Sequence, residues 1–220
     1  MDGYDSAATA LRCRESGSEY ELTARYVCEV SFGPLEVVYD MERIAANVSR
    51  ERIAAGPASI WRYRDFLPCA PTGVPRGIPT GMTPLIPAPR LAEALGLGEV
   101  WVKNDAANPT HSFKDRVVSV ALEKAEELGF SVAACASTGN LANAVAAHAA
   151  ARGMTSFVFV PADLEPQKII ATGVYGATLL TVDGSYDDVN RLCMQLADDR
   201  DWAFVNVNLR PYYSEGSKTL

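Results

Sequence analysis

From residue 99 onward the chain alternates two kinds of segment. Apolar runs, "EVWVKND", "FSVAACAS", "TSFVFVP", "ATLLTVD" and "WAFVNVN", are separated by stretches whose apolar residues recur at every third or fourth position. In "KDRVVSVALEKAEEL" those positions are Val117, Val118, Ala121, Leu122, Ala125 and Leu128, and Gly129 follows as a left-handed stop. "NLANAVAAHAAAR" is predicted as a second helix, with Asn140 as its N-cap and Gly153 at its end. "PQKIIATGVY" makes a third, closed by Gly176. "SYDDVNRLCMQLADD" makes a fourth: Ser185 and Asp188 have capping-box spacing, and Val189, Leu192, Cys193 and Leu196 share one face. Nearly all-apolar strands alternating with helices predict an α/β fold, a parallel sheet with flanking helices. Ligands in such sheets bind beyond the carboxyl ends of the strands, where "ASTGN" and the loop after "EVWVKND" both fall.

The first 89 residues lack this rhythm. Residues 1–40 hold short alternating runs, "YELTARYVC" and "PLEVVYD", which read as strands of a small β unit. Residues 41–67 carry a helical pattern in "MERIAANVSRERIAA", broken at Gly56 and Pro57 before a second short helix. Residues 68–89 hold seven of the thirteen prolines, which predicts an extended connector. The expected organisation is a β unit over 1–40, a helical and Pro-rich connector over 41–89, and an α/β domain over 90–220.

Composition narrows the function classes. A net charge of −7 argues against a nucleic-acid partner and gives no support to a membrane surface. The least charged stretch, "SVAACASTGNLANAVAAHAAA", is interrupted by polar residues and does not read as a membrane span. The start, "MDGYDSAATALRCRESG", has no signal-peptide pattern, and five scattered cysteines do not resemble a disulfide framework. The expected location is cytoplasmic.

Two stretches carry candidate chemistry. "ASTGN" leads a strand into a helix and offers backbone N–H groups and hydroxyls at a positive helix end, which suits a carboxylate or phosphate; simple helix capping explains the same residues. "NPTHSFKDR" places Lys114 at a helix start, the wrong end of the macrodipole for a cation. That end, and partial burial beside Phe113, would favour the free amine a nucleophile needs. Asp115 and Arg116 read as residues that hold the loop. Physical chemistry alone allows the covalent role without favouring it over a solvated lysine.

The pair of motifs resembles the pyridoxal-phosphate enzymes of the tryptophan synthase β-like group (fold type II), and within it the threonine synthase family, whose segment usually reads N-P-T-G-S-F-K-D-R. "GMTPLIPAPRLAEALG" and "SEGSKT" extend the resemblance over about residues 80–220. It implies that Lys114 bonds covalently to pyridoxal 5'-phosphate, that Phe113 packs near the cofactor, and that Asn140 hydrogen-bonds its ring hydroxyl. Ser137, Thr138 and Gly139 would help bind the substrate carboxylate. Lys103, Ser112 and Lys218 are candidates for substrate-phosphate contacts, with exposed or capping roles as their alternative. The implied reaction converts O-phosphohomoserine and water to threonine and phosphate, so the partner is a small amino-acid phosphate; a homodimer is compatible.

Three departures accompany it. His111 stands where the commoner motif has glycine, and His148, inside an Ala-rich helix, reads as packing. Near the N-terminus, Cys13 and Cys28 are each followed three residues later by a serine, Ser16 and Ser31, where relatives with a zinc ribbon show four cysteines. Hydroxyls are poor zinc ligands, so the expectation is a degenerate ribbon-like unit with no metal. The chain also stops at "SEGSKTL" without a later glycine-rich phosphate cradle, which reads as truncation of a longer enzyme. Cysteate synthase, acting on phosphoserine and sulfite, is the enzymatic alternative, and a catalytically incomplete binding module is the alternative of another class.

Overall fold

The computed structural model describes residues 6–69 and 76–220. Part of the Pro-rich connector, residues 70–75, lies outside them.

The core is a four-stranded, all-parallel sheet in the order β8-β7-β6-β9, built from β6 (Val132–Ala136), β7 (Thr155–Pro161), β8 (Thr178–Val182) and β9 (Ala203–Phe204). Its helices are α4 (Lys114–Glu127), α5 (Asn140–Arg152), α6 (Pro166–Gly173) and α7 (Tyr186–Asp199). β6 is closed off from solvent over Ala133–Ala136, as an inner strand covered on both faces must be. The expected turns recur: Gly129, Gly153 and Gly176 all have positive φ, and Ser185 with Asp188 forms the capping box. α4 is the central helix. Val117, Val118, Val120, Ala121, Leu122 and Ala125 are all buried, so it is packed around most of its girth.

The last strand is shorter than "WAFVNVN" suggests. Val205 N still donates to Ala134 O at 2.9 Å; beyond it the backbone turns, and side chains take over. Asn206 Nδ2 donates to Ala136 O at 3.2 Å, and Asn208 Oδ1 accepts from Phe204 N at 2.8 Å. "EVWVKND" does not join the parallel sheet. Only Trp101–Lys103 (β5) is a strand, and it pairs antiparallel with β4 (Leu85–Pro87) in a separate two-stranded sheet. All six residues of that hairpin are exposed. The short helix α3 (Pro89–Leu95) connects the two strands.

The N-terminal unit is a three-stranded antiparallel sheet, order β2-β1-β3, from β1 (Ala8–Cys13), β2 (Glu19–Tyr20) and β3 (Leu35–Tyr39). Of "YELTARYVC" only the first residue, Tyr20, is strand, beyond which Val27 makes a single bridge to Pro34. The helical pattern that follows is two helices, α1 (Met41–Asn47) and α2 (Arg50–Ala54), because Ser49 turns back to cap Arg52 N. A 3₁₀ segment over Ile60–Phe66 stands where the second short helix is expected. The chain ends in α8 (Arg210–Glu215) and a 3₁₀ turn over Gly216–Thr219. No helix among the described residues is long and apolar enough to cross a membrane.

Candidate active site

Lys114 opens α4 after Phe113 at the cap position, and its backbone N–H donates to the buried Ser112 Oγ at 3.1 Å, which satisfies the first N–H of the helix. The ammonium lies between two aromatic rings, 5.9 Å from the centroid of Phe113 and 5.7 Å from that of Tyr213. It makes no hydrogen bond or ion pair among the described residues. A half-buried amine held only by ring faces is free to bond to an electrophile.

The loop around it is held by two buried networks. Asp115 Oδ2 accepts from Thr110 N at 2.8 Å, and its Oδ1 accepts from Thr110 Oγ1 at 2.9 Å. His148 Nε2 meets that same Oδ1 at 3.1 Å. His148 therefore does more than pack: within the apolar face of α5 it satisfies a buried carboxylate. Arg116, only 1% exposed, binds Asp105 through Nε at 2.7 Å and Nη2 at 2.9 Å. Its Nη2 also reaches Thr83 Oγ1 at 3.1 Å, and its Nη1 reaches Thr219 O at 2.6 Å. One guanidinium thus ties α4 to three distant segments. Burial alone would raise the Asp105 pKa, but hydrogen bonds from Arg116 and Thr83 outweigh it and hold the carboxyl below its usual value.

His111 adopts φ +58°, the left-handed region, which explains why glycine suits that position. Its ring Nδ1 rests 3.3 Å from Ala106 O.

β6 ends at Ala136 and delivers Ser137, Thr138 and Gly139 to the start of α5. Asn140 is not the N-cap. It is the first helical residue, Gly139 occupies the cap position, and Ser137 Oγ reaches over to accept from Ala142 N at 3.2 Å. The Asn140 side chain is left exposed at the helix start. Asp115 pairs with His148, and Arg152 Nη2 donates to Ser119 O at 3.3 Å, one turn further on in both helices. α4 and α5 therefore run in the same direction, and their N-termini open at one end. α5 begins about 12 Å of helix before His148, so the "ASTGN" loop stands beyond the start of α4.

Lys103 and Lys218 are not drawn into this arrangement. Lys103 donates to Thr83 O on the exposed hairpin. Lys218 binds Glu215 and stacks 4.0 Å over the ring of Tyr39. Sequence reasoning passed over Tyr213, Thr110, Asp105, Thr83 and Thr219. Only Thr110 and Asp105 sit close enough to Lys114 in the chain for local chemistry to have flagged them. Tyr213 also borders a cavity of about 430 Å³, together with Tyr26, Asn190, Met194, Asn206, Val207 and Arg210.

The chain thus combines a parallel α/β sheet with a lysine at the start of one helix and a neighbouring helix whose N-terminus opens at the same end. The match to pyridoxal-phosphate dependent enzymes spans residues 78–220, and the chain belongs to that family. Its cofactor is pyridoxal phosphate. Among curated proteins, the chain is similar to threonine synthase of Methanocaldococcus jannaschii, 36% identical over 95% of this chain and 52% of that protein. Threonine synthase of Methanosarcina acetivorans is 36% identical over 96% of this chain and 51% of its own length. That of Synechocystis is 40% identical over 71% and 41%. The chain spans about half the length of the two archaeal relatives. Among solved structures, Escherichia coli diaminopropionate ammonia lyase in apo form shares the fold, with a TM-score of 0.56, 20% identity, and 78% of this chain and 50% of that chain covered. O-ureido-L-serine synthase aligns with a TM-score of 0.52 and 26% identity over 57% of this chain and 41% of that one.

Proposed function

We propose that this chain carries the lysine-bearing part of a threonine synthase, which converts O-phosphohomoserine and water to threonine and phosphate. The observation that carries this reading is the Lys114 ammonium, without polar partners among the described residues and flanked by Phe113 and Tyr213. The residues present fit pyridoxal phosphate: a lysine side chain available for a covalent bond, aromatic faces beside it, and the N-terminus of the neighbouring helix α5 opening at the same end. When bound, the cofactor supplies a conjugated ring that accepts the electron pair left by a departing proton.

Lys114 then has two tasks, to hold the cofactor and to take the proton from the substrate α-carbon at Nζ. The loop of Ser137, Thr138 and Gly139, at a positive helix end, is the place for the substrate carboxylate: Ser137 N donates to Phe159 O and Gly139 N to Ser137 Oγ, which shapes the loop, and Thr138 offers its N–H and hydroxyl. Phe113 and Tyr213 offer ring faces beside the amine. Asn140, exposed at the first turn of α5, is the partner for the ring hydroxyl. Ser112 holds the helix start, while Lys103 and Lys218, already engaged, have weaker claims on the substrate phosphate. The reading extends to a cytoplasmic location and permits a homodimer.

The test is to add pyridoxal phosphate, reduce with borohydride, and map the modified residue. A label on Lys114 that is absent in Lys114→Ala supports the reading, and a label scattered over surface lysines removes it. Phosphate release by the full-length protein from O-phosphohomoserine, set against phosphoserine with sulfite, decides the substrate.

A further inference from the structure

The N-terminal β unit contains two turns of the same build that the proposed chemistry does not use. In the first, Gly17 N donates to Cys13 O at 3.0 Å and Cys13 N to Ser18 O at 2.9 Å. In the second, Phe32 N donates to Cys28 O at 3.0 Å and Cys28 N to Gly33 O at 3.0 Å. The residue four beyond each cysteine has positive φ, +72° at Gly17 and +55° at Phe32. Each turn also aims a backbone N–H at its own sulfur, Ser16 N to Cys13 Sγ at 3.5 Å and Val30 N to Cys28 Sγ at 3.4 Å.

The turns interlock. Ser31, from the second, lies 3.2 Å from Cys13 Sγ, and Ser16, from the first, lies 3.3 Å from Cys28 Sγ. Each sulfur therefore touches the hydroxyl three residues beyond the other. Tyr20 adds a contact to Cys28 Sγ at 3.1 Å. Hydroxyls from Ser16 and Tyr20 bring the Cys28 thiol down to about 5, and Ser16 chiefly lowers that of Cys13. Both cysteines are closed off from solvent, in turns that lie at the surface: Val30, two residues beyond Cys28, is 71% exposed and Phe32 78%. Cys69, Cys135 and Cys193 are also free, and burial pushes each of their thiols up. Two sulfurs and two neutral hydroxyls fall short of the four nitrogen or sulfur ligands of a structural zinc site.

We propose that Cys13 and Cys28 are a dithiol site that closes to an intramolecular disulfide when met by a small-molecule disulfide such as oxidised glutathione. The Cys28 thiolate attacks one glutathione sulfur, breaks its S–S bond and releases one glutathione thiolate, which takes up a proton. Cys13 gives up its proton and attacks the Cys28 sulfur, expelling the second glutathione. The two protein thiols lose two electrons, and the glutathione disulfide gains them. The product is a covalent staple between the end of β1 and the turn after Cys28, in a unit with little core of its own.

The experiment is to equilibrate the intact reduced chain in glutathione buffers of increasing oxidised fraction, trap free thiols with N-ethylmaleimide, and map the peptides. The expected result is one cross-linked species joining Cys13 to Cys28, lighter by two hydrogens, with the other three cysteines still alkylated. Cys13→Ser is expected to halt at a glutathione adduct on Cys28. Glutathione adducts on either cysteine of the unaltered chain without a cross-link would overturn the proposal. So would full alkylation of both at the oxidised extreme. The map of the unaltered chain decides the matter even where the variant does not fold.

Discussion

Asp115 Oδ1 and His148 Nε2 stand 3.1 Å apart, and neither side chain is exposed to solvent. The contact joins the residue next to Lys114 to the second half of α5, so the helix that carries the lysine is fixed to the helix that carries the "ASTGN" loop. The same carboxylate satisfies both Thr110 donors. Asp115→Ala leaves a buried amide, hydroxyl and imidazole without their acceptor, and a loss of about 3–5 kcal/mol is expected. Asp115→Asn keeps the acceptor oxygen and costs less. Urea denaturation of the two variants measures both; equal, small losses would mean that the network carries no weight.

Arg116 should be intolerant even of lysine. Lysine keeps the charge but not the planar fork that meets both Asp105 oxygens and Thr219 O together. Arg116→Lys is expected to cost about 2 kcal/mol and Arg116→Ala about 3–5 kcal/mol, in the range for a broken buried pair. Thermal denaturation would read the order.

The depressed pKa of Asp105 makes that link sensitive to acid. A carboxyl whose folded pKa lies below its unfolded value stabilises fully above the unfolded value, about 3.9, and the contribution disappears as pH falls through the folded pKa. Stability should therefore decline below about pH 4, and more steeply in the parent chain than in Asp105→Asn. Denaturant midpoints from pH 7 down to pH 3 test the sign; parallel curves would refute it.

Gly216 belongs to "SEGSKT", and its need for glycine is steric. A Cβ there would lie 2.5 Å from Val117 Cα and 2.6 Å from Arg116 O, backbone atoms that cannot swing aside. Gly216→Ala should cost about 3 kcal/mol by separating the chain end from α4. The control is Gly139→Ala, where a Cβ meets nothing within 4 Å and φ is −167°. Comparable melting temperatures for the two variants would contradict this account.

At His111 the prediction runs the other way. A non-glycine residue at φ +58° carries a strain of about 1 kcal/mol, part of which glycine's greater unfolded-state freedom would offset. His111→Gly is expected to leave stability unchanged or raise it by up to about 1 kcal/mol. A clear loss would assign His111 a stabilising contact beyond its ring nitrogen near Ala106 O.

Local chemistry settled much of this protein in advance. The α4 and α7 patterns, the positive-φ glycines at 129, 153 and 176, and the Ser185–Asp188 box depend on residues within one or two turns of each other. Their outcome follows from periodicity and capping alone. "NPTHSFKDR" and "ASTGN" were visible for the same reason, being contiguous.

What the tertiary structure decided is pairing. "EVWVKND" has the same short apolar pattern whether it enters a buried parallel sheet or an exposed antiparallel hairpin, and only the strand beside it chooses. Asn140 lost the cap position because the loop's backbone geometry, not its polarity, puts Gly139 there and lets Ser137 reach over. Arg116 finds Thr219, 103 residues away, and Lys114 finds Tyr213, through contacts that no local period encodes. Hydrophobic patterning sets which face of an element is buried, while the partner of a buried charge follows from how the faces come together.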